Sequence, residues 1–328
     1  MKNDAKELRD LLEEILSRIP DDNQTGIMLS GGLDSSIVAC ILLNDKRKLR
    51  SISASFKGYP LYDETKYVES IKNKYPNLEV NYISPLDIDL LKELKNLIEI
   101  IQRPINSGSF LLQYLIIKKA KELGIKNLIY CQWPDELLGG YNYFLLDRAH
   151  DDFLNFKFKD ALINIKEYIR RSKSINTDWI LAKVIWAILF SKGLRHSLNK
   201  SIIKLQSLID IAQKTAQSLG VNLILPYGEP KIVEFSQKLN LDRLVYRGET
   251  KIILREVGFD ILPDEILKRK EKFSFFAPDG VWLLKNKDSI QSLDNQEVKR
   301  LYNKFLKNPY KRWYRKLWIA LSKTVYPV

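Results

Sequence analysis

The stretch Ser30-Gly31-Gly32-Leu33-Asp34-Ser35-Ser36 has residue types and spacing that can do chemistry. Adjacent glycines let a backbone turn sharply and approach a ligand closely, so successive amide N–H groups can converge on an anion. A short apolar run, Ile27 to Leu29, precedes the turn, and an apolar helical pattern follows Asp34. The loop is therefore expected between a strand and a helix N-terminus, whose positive end also favours negative charge. The hydroxyls of Ser30, Ser35 and Ser36 add donors. The chemistry implied is phosphate binding. It is not that of a Walker A loop, which needs a Lys before its Ser/Thr, nor of a G-x-G-x-x-G dinucleotide fingerprint.

The rest of the chain supplies elements to position that loop. Leu8, Leu11, Leu12, Ile15, Leu16 and Ile19 recur at helical spacing, which predicts an amphipathic helix over Asp4 to Ile19, packed on the sheet that follows. Strands are expected at Ile27 to Leu29, Leu49 to Phe56, Leu78 to Ile83 and Asn127 to Cys131. Helices are expected after Asp34, after Tyr62-Asp63-Glu64, from Pro85 to Ile101 and from Ser109 to Leu123. Strands alternating with helices predict an α/β fold with a doubly wound parallel sheet. Ligands of such sheets bind at the carboxyl ends of the strands, where Ser30 and Cys131 both fall. From Asp151 onward the strand pattern stops and helical patterns dominate, among them Phe153 to Arg171, Trp179 to Ser191 and Ile203 to Leu219.

Composition narrows the chemistry. At 328 residues, with 45% hydrophobic and 11% aromatic content, the chain can bury a large core. It has two cysteines, Cys40 and Cys131, and two histidines, His150 and His196, in no metal-ligand spacing, which argues against structural zinc and iron–sulfur sites. Any metal is expected to be a hard cation held by carboxylates and phosphates. The charged N-terminus is unlike a secretory signal, and the longest apolar run, Trp179 to Phe190, is interrupted by Lys183 and too short to span a bilayer. A cytoplasmic protein with no membrane partner is expected. The net charge of +13, with basic clusters at Asp45 to Lys48, Lys268 to Lys270 and Tyr310 to Lys316, leaves nucleic-acid binding open without favouring it.

The Ser-Gly-Gly-Leu-Asp-Ser sequence resembles the pyrophosphate loop of the N-type ATP pyrophosphatases. Further stretches, in matching order over residues 25 to 280, resemble one branch of that class, the asparagine synthase family. They are Gln132-Trp133-Pro134-Asp135-Glu136-Leu137-Leu138-Gly139-Gly140-Tyr141, preceded by Arg103-Pro104-Ile105; Leu225 to Phe235; Thr250 to Arg255; and Ile261 to Leu267. The resemblance implies one synthetase-like domain, with an ATP-binding α/β core over residues 1–150 and a mostly helical lobe over 151–328 that completes the active site. It implies ATP and Mg²⁺ as cofactors, with Asp34 and Asp135 as metal ligands and Lys251 neutralising charge on the phosphates. Leu29, Ser30, Gly31, Gly32, Asp34, Ser35, Ser36, Ser55 and Lys251 would bind ATP or pyrophosphate, with Ala54 and Phe56 beside the adenine. Gln132, Trp133 and Glu136 would line the substrate pocket. The plainer alternatives, less favoured, are a helix cap for Asp34, a turn residue for Asp135 and an exposed helix lysine for Lys251, while Arg255 is equally a shared site residue or part of a structural ion pair.

Two departures bear on the substrates. Glutaminase domains of this family use a cysteine at position 2, where this chain has Lys2, so the nitrogen is expected as ammonia, free or from a separate glutaminase subunit, or as a substrate amine. Gln132 stands where asparagine synthetases carry an acidic residue; an amide cannot deprotonate an ammonium ion. The expected activity is an AMP- and pyrophosphate-forming carboxylate–amine ligase. Alternatives are an RNA-modifying pyrophosphatase, a thiolating enzyme using Cys131, or a non-catalytic ATP-binding subunit of a separate amidotransferase.

Overall fold

A computed structural model describes residues 2–60, 62–172, 177–269, 277–307 and 314–326. The basic stretches at Lys270 and Tyr310 to Trp313 lie outside the described residues. Five strands, β1 (Thr25–Met28), β2 (Leu49–Ala54), β3 (Leu78–Ile83), β4 (Asn127–Ile129) and β5 (Asn222–Ile224), form one parallel sheet in the order β3-β2-β1-β4-β5. The chain leaves β1 towards β2 and β3, then returns to β4 on the other side of β1. That reversal opens a crevice between the carboxyl ends of β1 and β4, the usual ligand site of a doubly wound sheet.

The register explains how both faces are covered. Ile27 pairs with Ser51 and Ile129, and Ile27 and Ile129 face a core that includes Leu12, Ile37 and Val38. Their neighbours Met28 and Leu128 point the other way, into a core with Leu94, Ile98, Ile116 and Trp282. All four residues of β1 are buried, as a central parallel strand requires. Helix Leu33–Asn44 is buried along nearly its whole length, Cys40 included. No described helix is long and apolar enough to cross a membrane.

Several expectations need correction. The first helix, Asn3–Ser17, packs chiefly on helices Leu33–Asn44, Pro230–Lys238 and Ile252–Val257 rather than on the sheet. It is tied down by Arg243, which donates to both Asp4 and Glu256. The pattern from Phe153 to Arg171 is two helices, Phe144–Leu154 and Phe158–Arg171, broken where Phe156 takes a φ of +58°. Strands do not stop at Asp151, because β5 extends the sheet beside β4. Three residues are too few for alternation to declare itself in sequence.

The C-terminal helices close the second core. Trp282 and Trp318 meet edge to face at 6.4 Å, and Asp279 accepts the Gly108 N–H at 2.8 Å just before helix Ser109–Glu122. Burial pushes the Asp279 carboxyl up to about 7 despite that hydrogen bond. Its folded-state value then lies above its unfolded one, so its contribution to stability declines as pH rises from about 4 through about 7. Asp279→Asn is expected to flatten this slope and to leave the variant more stable than the parent by roughly 2–4 kcal/mol at pH 8. Urea unfolding at pH 5 and pH 8 checks it; parallel pH dependences in the two proteins would contradict it.

Candidate active site

The sheet ends in a rigid loop. The Leu29 N–H donates to the Ile52 carbonyl and its own carbonyl accepts the Ser53 hydroxyl, at 3.0 and 2.7 Å, so both main-chain groups of Leu29 already serve β2. The Ser55 N–H likewise donates to the Ile83 carbonyl. Gly31 has a φ of +68°, and a Cβ there would stand 2.8 Å from Cβ of Tyr67, so the turn needs glycine for conformation and for room. The Ser30 and Ser35 hydroxyls lie 3.1 Å apart, and the Ser30 Oγ accepts the Gly32 N–H. These bonds set the loop before any ligand arrives. Ser36 is fully buried and its hydroxyl has no partner among the described residues.

Gly32 occupies the N-cap of helix Leu33–Asn44, which leaves Asp34 in the first turn rather than as its cap. Both Asp34 carboxylate oxygens accept from the Lys251 ammonium, at 2.6 and 2.7 Å. The same ammonium lies 2.6 Å from Oδ1 of Asp135, on the short helix Pro134–Leu137 beyond β4. Lys251 is 3% exposed and stands at the N-cap of Ile252–Val257 with a φ of +54°. It is no exposed helix lysine. Three residues far apart in sequence thus meet where the chain leaves β1 and β4.

Two carboxylates converging on one ammonium-sized point suit a hard cation, and no cluster of three His, Cys, Asp or Glu occurs among the described residues. The remaining ligands would then be phosphate oxygens and water. Asp34 and Asp135 fit the group.

The turn that carries Asp135 holds a second buried carboxylate. Glu136 is 3% exposed; its Oε1 accepts the Tyr141 hydroxyl and its Oε2 has no partner among the described residues. Burial, reinforced by the neighbouring Asp135, pushes its carboxyl up to about 7 even though Tyr141 donates to it. Cys131 is held well above the usual thiol range by burial and by the Asp34 charge, which is the reverse of an activated thiolate. Arg255 donates to the Thr250, Leu267 and Arg269 carbonyls, a structural role that ties the turn before its helix to the segment after Leu267.

A family model described as asparagine synthase matches residues 7–318. The chain belongs to the asparagine synthase family. Similar to it are asparagine synthetase B [glutamine-hydrolyzing] of Escherichia coli, 24% identical over 90% of this chain and 48% of that protein, and asparagine synthetase [glutamine-hydrolyzing] 1 of Bacillus subtilis, 22% identical over 85% and 50%. The maize asparagine synthetase [glutamine-hydrolyzing] is 28% identical over 54% of this chain and 32% of its own length. The chain spans half or less of the curated relatives it matches.

In this member of the asparagine synthase family, three supporting residues escaped the sequence reading. The Tyr227 hydroxyl donates to the Asp34 carbonyl at 3.1 Å and so fixes the start of the helix that carries Asp34. Tyr141 holds Glu136. Gly140 leaves the space that Asp135 and Lys251 fill: a Cβ there would stand 1.8 Å from Asp135 Oδ1 and 2.3 Å from Lys251 Cε. The Gly-Gly pair in the motif was the available signal, but only packing says which atoms need the room.

Trp133 has a φ of +89°, a costly conformation for a non-glycine residue, and its indole lies against Gly228, where a Cβ would stand 2.6 Å from Nε1. Trp133→Gly is expected to be more stable than Trp133→Ala by about 1 kcal/mol, because both lose the indole contacts but only Gly relieves the backbone. Paired denaturant curves measure this, and a more stable alanine variant would show that the strain is absent.

Proposed function

We propose that the chain is an ATP-dependent carboxylate–amine ligase, adenylating a carboxylate and forming an amide with release of AMP and pyrophosphate. The observation that carries this reading is the Lys251 ammonium held between Asp135 and Asp34, the carboxylate of the Ser30 to Ser36 stretch itself. The loop amides and the helix N-terminus at Leu33 are arranged to take the departing phosphates. Lys251 is poised to exchange its two carboxylate partners for phosphate oxygens as negative charge builds there. Asp34 and Asp135 would hold Mg²⁺, which supplies electrostatic stabilisation of phosphate charge when bound.

Trp133, next to Gln132 and opposite Gly228, narrows the acceptor side, and the acceptor is a small carboxylate taken with ammonia or with an amine of its own. A separate glutaminase subunit is one source of that ammonia; nucleic acid is not favoured. The reading also places the protein in the cytoplasm. Product analysis across a panel of carboxylates and amines tests it. Pyrophosphate and AMP should form together, dependent on both carboxylate and Mg²⁺; formation of ADP and orthophosphate would overturn it.

A further inference from the structure

Helix Thr177–Phe190 presents an anomaly. Ile180, Val184 and Ala187 are buried against the body of the protein, as one face of a packed helix should be. The opposite face is also apolar: Leu181, Ile185, Trp186, Leu189 and Phe190 recur at i, i+4, i+5, i+8 and i+9, each between 49% and 63% exposed. A helix apolar on all sides is normally covered on all sides, and a patch of this kind marks an interaction surface. Beside it, between helices Phe144–Leu154, Thr177–Phe190 and Leu194–Ser218, lies a cavity of about 270 Å³. Trp186 belongs to both features. Lys183, Lys200 and Lys204 line the cavity with Ser197 and Ser201. One carboxylate, Asp147, also lines it, but accepts the Ser191 hydroxyl at 2.6 Å. Lys200 and Lys204 pair with no carboxylate among the described residues, and Ile203, 77% exposed, lies on the same side of their helix.

We propose that the outer face of helix Thr177–Phe190, with the lysine-lined cavity beside it, binds the surface of an anionic lipid bilayer. The apolar residues would lie at the acyl boundary, Trp186 at the headgroup level, and a lipid phosphate in the cavity among Lys183, Lys200 and Lys204. The chemistry of the patch selects this occupant. A second copy whose twofold axis passes near Trp186, where the apolar face and the cavity meet, would bring this lysine cluster close to its own image, an unfavourable like-charge contact. Apart from the lysines and serines of the cavity at its edge, the exposed apolar face offers one side-chain hydrogen-bond donor, the Trp186 indole, too few for the core of an interface with a folded protein, whereas acyl chains ask for none. The chain's net charge of +13 favours approach to an anionic surface. Too short to span, the helix is long enough to lie in the plane.

Vesicle co-sedimentation of the full chain tests the proposal. Phosphatidylcholine vesicles containing phosphatidylglycerol should pellet the protein, and pure phosphatidylcholine vesicles should not. Lys200→Glu/Lys204→Glu is expected to weaken binding on the order of thirtyfold, and Trp186→Ser/Leu189→Ser on the order of a hundredfold. All four positions are outside the candidate active site, and circular dichroism with unfolding midpoints checks that both variants keep the parent fold. No binding to anionic vesicles would overturn the proposal. So would binding that ignores the Trp186/Leu189 change, which is charge attraction alone, or a wild-type dimer that this change dissociates, which assigns the face to a second copy.

Discussion

Lys251→Ala should lower ATP-dependent pyrophosphate release by about 10²–10³-fold, the cost usual for removing one preorganised charge-stabilising donor. The ammonium is buried, so its field acts in a medium that screens poorly, and it is held by Asp34 and Asp135 before ligands arrive. The variant should also reveal a second effect that an exposed lysine would not. Without the ammonium, two close carboxylates lose their shared partner, and stability should fall by roughly 3–5 kcal/mol, the usual range for breaking a buried pair from one side. The vacated point is where a divalent cation fits. Mg²⁺ alone, without ATP, should therefore raise the melting temperature of Lys251→Ala more than that of the parent. Melting curves with and without MgCl₂, beside pyrophosphate release, check both parts. Turnover within tenfold of the parent would remove Lys251 from the chemistry, and equal Mg²⁺ responses would remove the shared site.

The sequence made the loop legible because its requirements are local: two glycines, three hydroxyls and a carboxylate within a few residues, set between a strand and a helix. The parallel sheet was legible for a similar reason, since β1 to β3 are bounded by helical patterns of ordinary length. What was not legible depends on contacts or on backbone conformation. Asp34 and Lys251 are 217 residues apart, so only the resemblance, and not spacing, could join them. The left-handed backbone at Lys251 and at Trp133 contradicts local propensity, as conformations at functional sites often do. β5 is three residues long and gains its strand identity from pairing with β4. The run from Trp179 to Phe190 is plainly apolar in sequence, but periodicity cannot say that one of its two apolar faces stays exposed among the described residues.

Gly140→Ala should be nearly as damaging to turnover as the loss of Lys251, although it removes no functional group. The backbone at Gly140 lies outside the positive-φ region that penalises alanine, unlike that of Gly139, whose φ is +77°. The effect is therefore one of space. A methyl group 1.8 Å from Asp135 Oδ1 and 2.3 Å from Lys251 Cε cannot coexist with the present positions of either side chain. Nor can the main chain retreat easily, because the Gly140 N–H is bonded to the Asp135 carbonyl at 2.9 Å, which ties the two residues into one turn. The side chains must part, so the ammonium loses Asp135 and the carboxylate leaves the crevice. Overpacking of this kind costs roughly 1–3 kcal/mol of stability, while misplacement by about 1 Å at a reacting centre can cost 10²-fold in rate. A double-mutant cycle separates this from general damage. If Gly140 acts by making room for the Lys251–Asp135 contact, Gly140→Ala should lower pyrophosphate release about 10²-fold in the parent and less than tenfold in Lys251→Ala, where one of the two crowded side chains is gone and Asp135 can shift into the space it leaves. Equal losses in both backgrounds would mean that the methyl group disturbs the fold rather than the clamp.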